Sequence, residues 1–178
     1  VVRGDFPIAY VDRAAAAVGE PADGVVFVPG GDLYLRELAS PSAASINLTR
    51  SYTQGRGDVT GPEASYDGRR IVFSMRGPND ATWSIWEYSL DSRQLQRLTD
   101  DTADDVHPHY LPDGRIVFSS NCQAGTRQQL EDAGRQPYSY RTGYGREAAL
   151  VLHVMNADGS DIEQISFNQS HDRNPTVR

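Results

Sequence analysis

The chain contains no lysine: all 17 of its basic side chains are arginine. A lysine-free, arginine-only composition reads as that of a high-GC bacterium. Cysteine is nearly absent. With Cys122 alone, an intrachain disulfide is impossible, and so is the Cys-x-x-Cys-His pattern that attaches c-type haem. Long apolar runs are missing as well, so no segment has the roughly 18 apolar residues of a membrane-spanning helix. Positive charge is scarce: the formal net charge is -7 and the densest basic pair is Arg69-Arg70. That balance argues against nucleic acid, whose sites need clustered Lys and Arg. No Gly-x-Ser-x-Gly elbow is present, so the nucleophile of a serine hydrolase is not supplied. No leader is visible before Val1-Val2-Arg3, and that start reads as a processed or excised piece of a longer precursor.

What the chain does contain is a repeat. Ser65-Tyr66-Asp67-Gly68-Arg69-Arg70-Ile71-Val72-Phe73-Ser74 is echoed by Leu111-Pro112-Asp113-Gly114-Arg115-Ile116-Val117-Phe118-Ser119. Each copy is followed by an alternating strand (Ser84–Leu90, Ala149–Met155), a turn, and a Leu98-Thr99 or Ile165-Ser166 pair. Each then reaches Asp-x-x-Pro, with Pro108 and Pro175 both nine residues beyond Thr99 and Ser166. A weaker first copy runs through Pro7–Val11, Asp32–Leu38, Ile46–Thr49 and Asp58…Pro62. The blade units are 6–62, 63–110 and 111–178, with insertions at 14–29 and 123–146. In the first insertion Val25–Val28 suits a short extra strand, and Ala14–Val18 could start a helix. The second has no strand pattern and reads as a disordered or surface-packed loop, with a partner-binding loop as the alternative.

One such unit cannot bury its own apolar face, so repeats stack. The predicted fold is all-β: a partial β-propeller of about three four-stranded antiparallel blades, with inner strands at Ile8–Val11, Arg70–Ser74 and Arg115–Ser119. Rings use about four to eight blades. The chain is therefore expected to be a fragment of a larger ring, packed against other propeller blades or a partner chain.

The run Asp105-Val106-His107-Pro108-His109-Tyr110-Leu111-Pro112-Asp113-Gly114 resembles the TolB-type propeller repeat. Phe6–Val11, Gly31–Arg36, Leu152–Asp161 and Ile165–Pro175 resemble the hydrazine synthase alpha-subunit-like proteins of bacteria. That resemblance implies an exported protein, periplasmic or secreted, whose c-type haem sits on segments outside the propeller, with zinc near one haem. It implies no cofactor within this chain. It leaves Cys122 as the only thiol able to contribute to such a zinc site.

His107 and His109 flank Pro108 and could share one rim with Asp104 or Asp105 as metal ligands. The competing reading is inter-blade packing, which is also expected of His171. His153 falls in register with Trp86 and reads as a half-buried strand residue. The recurring Asp58, Asp105 and Asp172, the turn pairs Asp67-Gly68 and Asp113-Gly114, and Pro108 and Pro175 read as structural repeat positions. The acidic run from Asp100 to Asp105 reads as a solvated loop, with a cation site as the alternative. No residue is assigned a catalytic role. The favoured function is a non-catalytic scaffold or interaction module. The alternatives are the propeller portion of a multihaem redox enzyme and a ligand-binding propeller.

Overall fold

The computed structural model describes residues 6–14, 26–40, 42–100, 102–141 and 148–177. Three antiparallel sheets follow one another along the chain. The first holds β1 (Ile8–Asp12), β2 (Asp32–Arg36) and β3 (Ser45–Asn47) in that order. After the short helix α1 (Arg50–Thr53), the second holds β4 (Asp58–Ala64), β5 (Arg70–Arg76), β6 (Ser84–Ser89) and β7 (Leu95–Arg97). The third holds β8 (Asp105–Tyr110), β9 (Ile116–Ser120), β10 (Val151–Met155) and β11 (Glu163–Gln164), with helix α2 (Ala124–Asp132) between β9 and β10.

The repeated Leu-Thr pair has a repeated job. The N–H of Leu48, Leu98 and Ile165 donates to the carbonyl of Leu33, Ile85 and Leu152, at 2.8 Å in each sheet. The hydroxyls of Thr49, Thr99 and Ser166 accept from the N–H of those same three residues, at 3.0, 3.0 and 2.8 Å. A hydroxyl thus satisfies a strand N–H where the outer strand ends and its ladder stops. The Asp-Gly turns repeat too: Asp67, Asp113 and Asp158 accept from the N–H two residues on. Only the glycines take positive φ (+68, +89 and +87). These turns are type I turns followed by a left-handed glycine, not the type I′ turn, which needs positive φ at both central residues.

Packing runs between sheets. In β5, Ile71, Phe73 and Met75 face the first sheet and join Leu33, Leu48, Val59 and Trp86. Val72 faces the other way and joins Ile85, Leu98, Tyr110, Ile116, Phe118 and Met155 against the third sheet. A strand buried on both faces reads as a continuous apolar run, as Ile71-Val72-Phe73 does.

The expected inner strands need correcting in the second and third sheets. Arg70–Ser74 and Arg115–Ser119 lie second in their sheets, and the Asp-x-x-Pro segments form the first strands, β4 and β8. These two pack against each other across the sheet boundary. Each carries a bulge where the residue before proline is left-handed: Gly61 at φ 61 and His107 at φ 56. Asn174, before Pro175, has φ 54. The bulge lets proline sit in a strand without taking a ladder donor. The first sheet has three strands among the described residues, not four. Val26–Val28 is not a strand; Phe27 instead packs edge-on against Trp83 at 6.2 Å, with Arg76 over its ring. Val25 and the proposed helix start at 15–18 lie outside the described residues. The insertion at 123–146, expected to be without regular structure, opens with α2.

Candidate functional site

A cleft of about 510 Å³ opens between the second and third sheets. One wall is the connection from β7 to β8, through Thr99, Asp100, Thr102 and Asp105. The opposite wall is Phe118 and Ser120 of β9, His153 of β10 and Glu163 of β11, with Cys122, the first turns of α2, Ile162 and Phe167 at the sides.

The cleft exists because two large side chains of one blade have small counterparts in the next. Trp86 faces the first sheet and packs on Tyr52 of α1 at 4.4 Å, which fills the space between sheets one and two. The matched hydrogen bonds put His153 where Trp86 stands, one residue after Leu152 and Ile85. Thr102 follows Thr99 by the same three positions as Tyr52 follows Thr49. An imidazole and a threonine replace an indole and a phenol, and the volume stays open.

Its chemistry is set by burial. Asp105 is 6% exposed. Burial raises its carboxyl to about 6, against hydrogen bonds from Ser120 and Thr99 that lower it. The acidic run is therefore not simply a solvated loop. Asp100 is exposed and bonded to Thr102, Asp104 holds the Trp83 N–H at 3.0 Å, and Asp105 is in the interior. His153, expected to be half-buried, is 4% exposed. Its ring stacks on Phe118 at 5.6 Å, its Nδ1 lies 3.3 Å from the Val151 carbonyl, and burial lowers its pKa. Facing a carbonyl, Nδ1 is the donor. Cys122 is a free, partly buried thiol in the cleft wall.

The three candidate metal ligands do not share a site. Cys122 lines the cleft; His107 and His109 lie on the β8 bulge and do not line it. His109 Nδ1 pairs with Glu63, and His107 is held neutral by burial, with Arg173 adding to the effect and its pKa at about 4. Among the described residues no three His, Cys, Asp or Glu side chains gather to hold a metal ion. The described residues by themselves do not assemble a zinc centre, and without Cys-x-x-Cys-His the chain does not fit covalent haem. Asp58 is buried, accepting from Arg13 and from the Val28 and Val59 N–H groups. Asp172 is partly buried; its N–H donates to the Leu150 carbonyl as that of Asp105 donates to Trp83. His171 Nδ1 accepts the Leu150 N–H at 3.0 Å. Sequence reasoning missed the cleft, although the register match of His153 to Trp86 was its available signal.

No protein-family profile matches the sequence. A stretch of 69 residues is 36% identical to an uncharacterised protein of Agrobacterium fabrum, covering 38% of this chain and 23% of that protein. Among solved structures, hydrazine synthase of Kuenenia stuttgartiensis matches 99% of this chain at a TM-score of 0.71 and 16% identity, over 27% of its own length. TolB from Acinetobacter baumannii matches 80% of this chain at a TM-score of 0.51 and 18% identity, over 28% of its own length. The chain thus spans about a quarter of the proteins it resembles. What it shares with the solved structures is the fold, and its three antiparallel sheets are the blades of a partial, TolB-like β-propeller.

Proposed function

We propose that this chain is a non-catalytic propeller scaffold within an exported bacterial protein, and that its first sheet docks against a further propeller blade. One observation carries the reading. Ile8, Tyr10, Tyr34 and Arg36 share the face of the first sheet turned away from the second. Tyr10 stacks on Tyr34 at 5.6 Å with Arg36 over the ring, while Ile8 and Phe6 remain 37% and 45% exposed. The opposite face of that sheet, with Ala9, Val11, Leu33 and Leu35, is spent on the neighbouring blade. An aromatic and apolar sheet face suits another sheet, because blades stack on both sides. No helix among the described residues is long and apolar enough to cross a membrane. Export and periplasmic placement rest on the family resemblance.

A second reading, the propeller portion of a multihaem redox enzyme, is favoured by the extent of the hydrazine synthase match. In it, zinc and haem c take ligands from outside this chain. The absorption spectrum of the complete gene product, purified from the periplasmic fraction, separates the two. Absence of a Soret band supports the scaffold; a Soret band with bound haem supports the redox enzyme and overturns the scaffold reading.

A further inference from the structure

The cleft between the second and third sheets differs from its counterpart one blade earlier in charge as well as in volume. Between sheets one and two, the Arg97 guanidinium lies over the Trp86 ring, 5.7 Å from its centre. Arg97 also donates to the Thr99 carbonyl at 2.9 Å. In the next blade the matched residue is Gln164, which donates to the matched Ser166 carbonyl at 2.8 Å and to Thr126 at 2.7 Å. The guanidinium and the indole are therefore replaced together, by a neutral amide and an imidazole.

Among the described residues the charged side chains that line the cleft are acidic, Asp100, Asp105 and Glu163, with no arginine, beside the neutral Thr102, Ser120, Gln128 and Gln129. His153, buried to 4% exposure, lines it as well. Its Nδ1 is committed to Val151, and its Nε2 has no hydrogen-bond partner among the described residues. In the neutral ring with Nδ1 as donor, Nε2 is a lone-pair acceptor. Phe118, Phe167 and Ile162 add apolar wall. A pocket with apolar sides and a few convergent polar groups is the usual form of a small-molecule site.

We propose that this cleft binds a small organic cation, a primary amine on a short aliphatic body. Its ammonium N–H groups meet the Asp100 carboxylate and His153 Nε2, and its methylenes lie along Phe118 and Phe167. The ligand supplies the positive charge and part of the volume that Arg97 and Trp86 supply one blade earlier. This inference is independent of the scaffold reading, since it concerns an inner surface and not the outer face of the first sheet.

The test is calorimetric titration of the whole chain with putrescine and n-butylamine, with 1,4-butanediol as the neutral control and zinc chloride as the metal control. Both amines are expected to bind at one site per chain, and the diol not to bind. Asp100→Asn changes an exposed side chain of the cleft wall, keeps the Oδ1 acceptor for Thr102, and should weaken putrescine about tenfold, the loss of one charge-assisted hydrogen bond. His153→Trp restores the side chain of the preceding blade and should abolish binding while the protein still melts cooperatively. If His153→Trp does not fold, protection of Cys122 from iodoacetamide by putrescine in the wild type takes its place as evidence that the amine sits in the cleft. No binding of either amine, equal binding of the diol, binding of zinc alone, or amine binding that Asp100→Asn leaves unchanged would overturn the proposal.

Discussion

Replacing Asp105 by Asn should stabilise the protein at neutral pH and not at acid pH. The Asp105 carboxyl is buried at the start of β8, and burial lifts its pKa from 3.8 to about 6, with Asp100 and Asp104 pushing the same way. An acid whose folded pKa is raised contributes stability that is fully present below its unfolded pKa. That contribution is lost as pH rises through the folded value. Above about pH 7 the ionised side chain therefore works against the fold. A separation of about two pKa units corresponds to about 3 kcal/mol. Asparagine has nearly the same shape, still accepts from Ser120 and Thr99, and cannot ionise. Weaker hydrogen bonding to a neutral acceptor costs about 1 kcal/mol. The expected outcome is a gain of about 2 kcal/mol near pH 7.5 and a loss of about 1 kcal/mol near pH 4. Urea denaturation of both proteins at the two pH values measures it. An equal loss of stability at both would refute the argument, because it would mean that the ionised carboxylate is held by favourable partners and that burial does not dominate.

Three other expectations follow from the blades themselves. Thr49→Val should cost about 1–3 kcal/mol by denaturation, because the Leu33 N–H and the buried Asp32 carboxylate both lose the Thr49 hydroxyl. At His107, left-handed at φ 56, glycine should be tolerated. A β-branched valine there should destabilise by about 2 kcal/mol relative to glycine, since its branched carbon is strained in that region. Phe73→Ala, at 0% exposure, should cost about 3–5 kcal/mol, whereas Tyr66→Ala, at 70% exposure in a turn, should stay within about 0.5 kcal/mol; thermal melts distinguish them.

The parts of this fold that were legible in the sequence are those where each blade does the same thing. The Ile71-Val72-Phe73 and Ile116-Val117-Phe118 runs, the Asp-Gly turns, and the Leu-Thr pairs with their fixed spacing to proline are all repeated positions, and each serves a repeated hydrogen bond or packing contact. The parts that were not legible are local or depend on differences between blades. Helix α2 buries only Thr126 and Leu130, and Gln123 at its N-terminus makes no side-chain cap, so neither apolar periodicity nor a capping signal announces it. The Asp-x-x-Pro segments stand at the ends of the sequence units and yet form the first strands of the following sheets, since bulges at Gly61 and His107 accommodate the proline and nothing in the residue pattern announces a bulge. The burial of Asp105 within a run of aspartates cannot be read from charge alone. The cleft required knowing that Trp86, Tyr52 and Arg97 occupy one shared space, whose counterpart holds His153, Thr102 and Gln164.

Sedimentation equilibrium of the 178-residue chain over a range of concentrations tests the central claim, that the outer face of the first sheet exists to be covered by another blade. Reversible association is predicted, and it should be lost in Ile8→Asp, a change at an exposed position on that face. A wild-type chain that stays monomeric at every concentration and melts in a single cooperative transition would contradict the account.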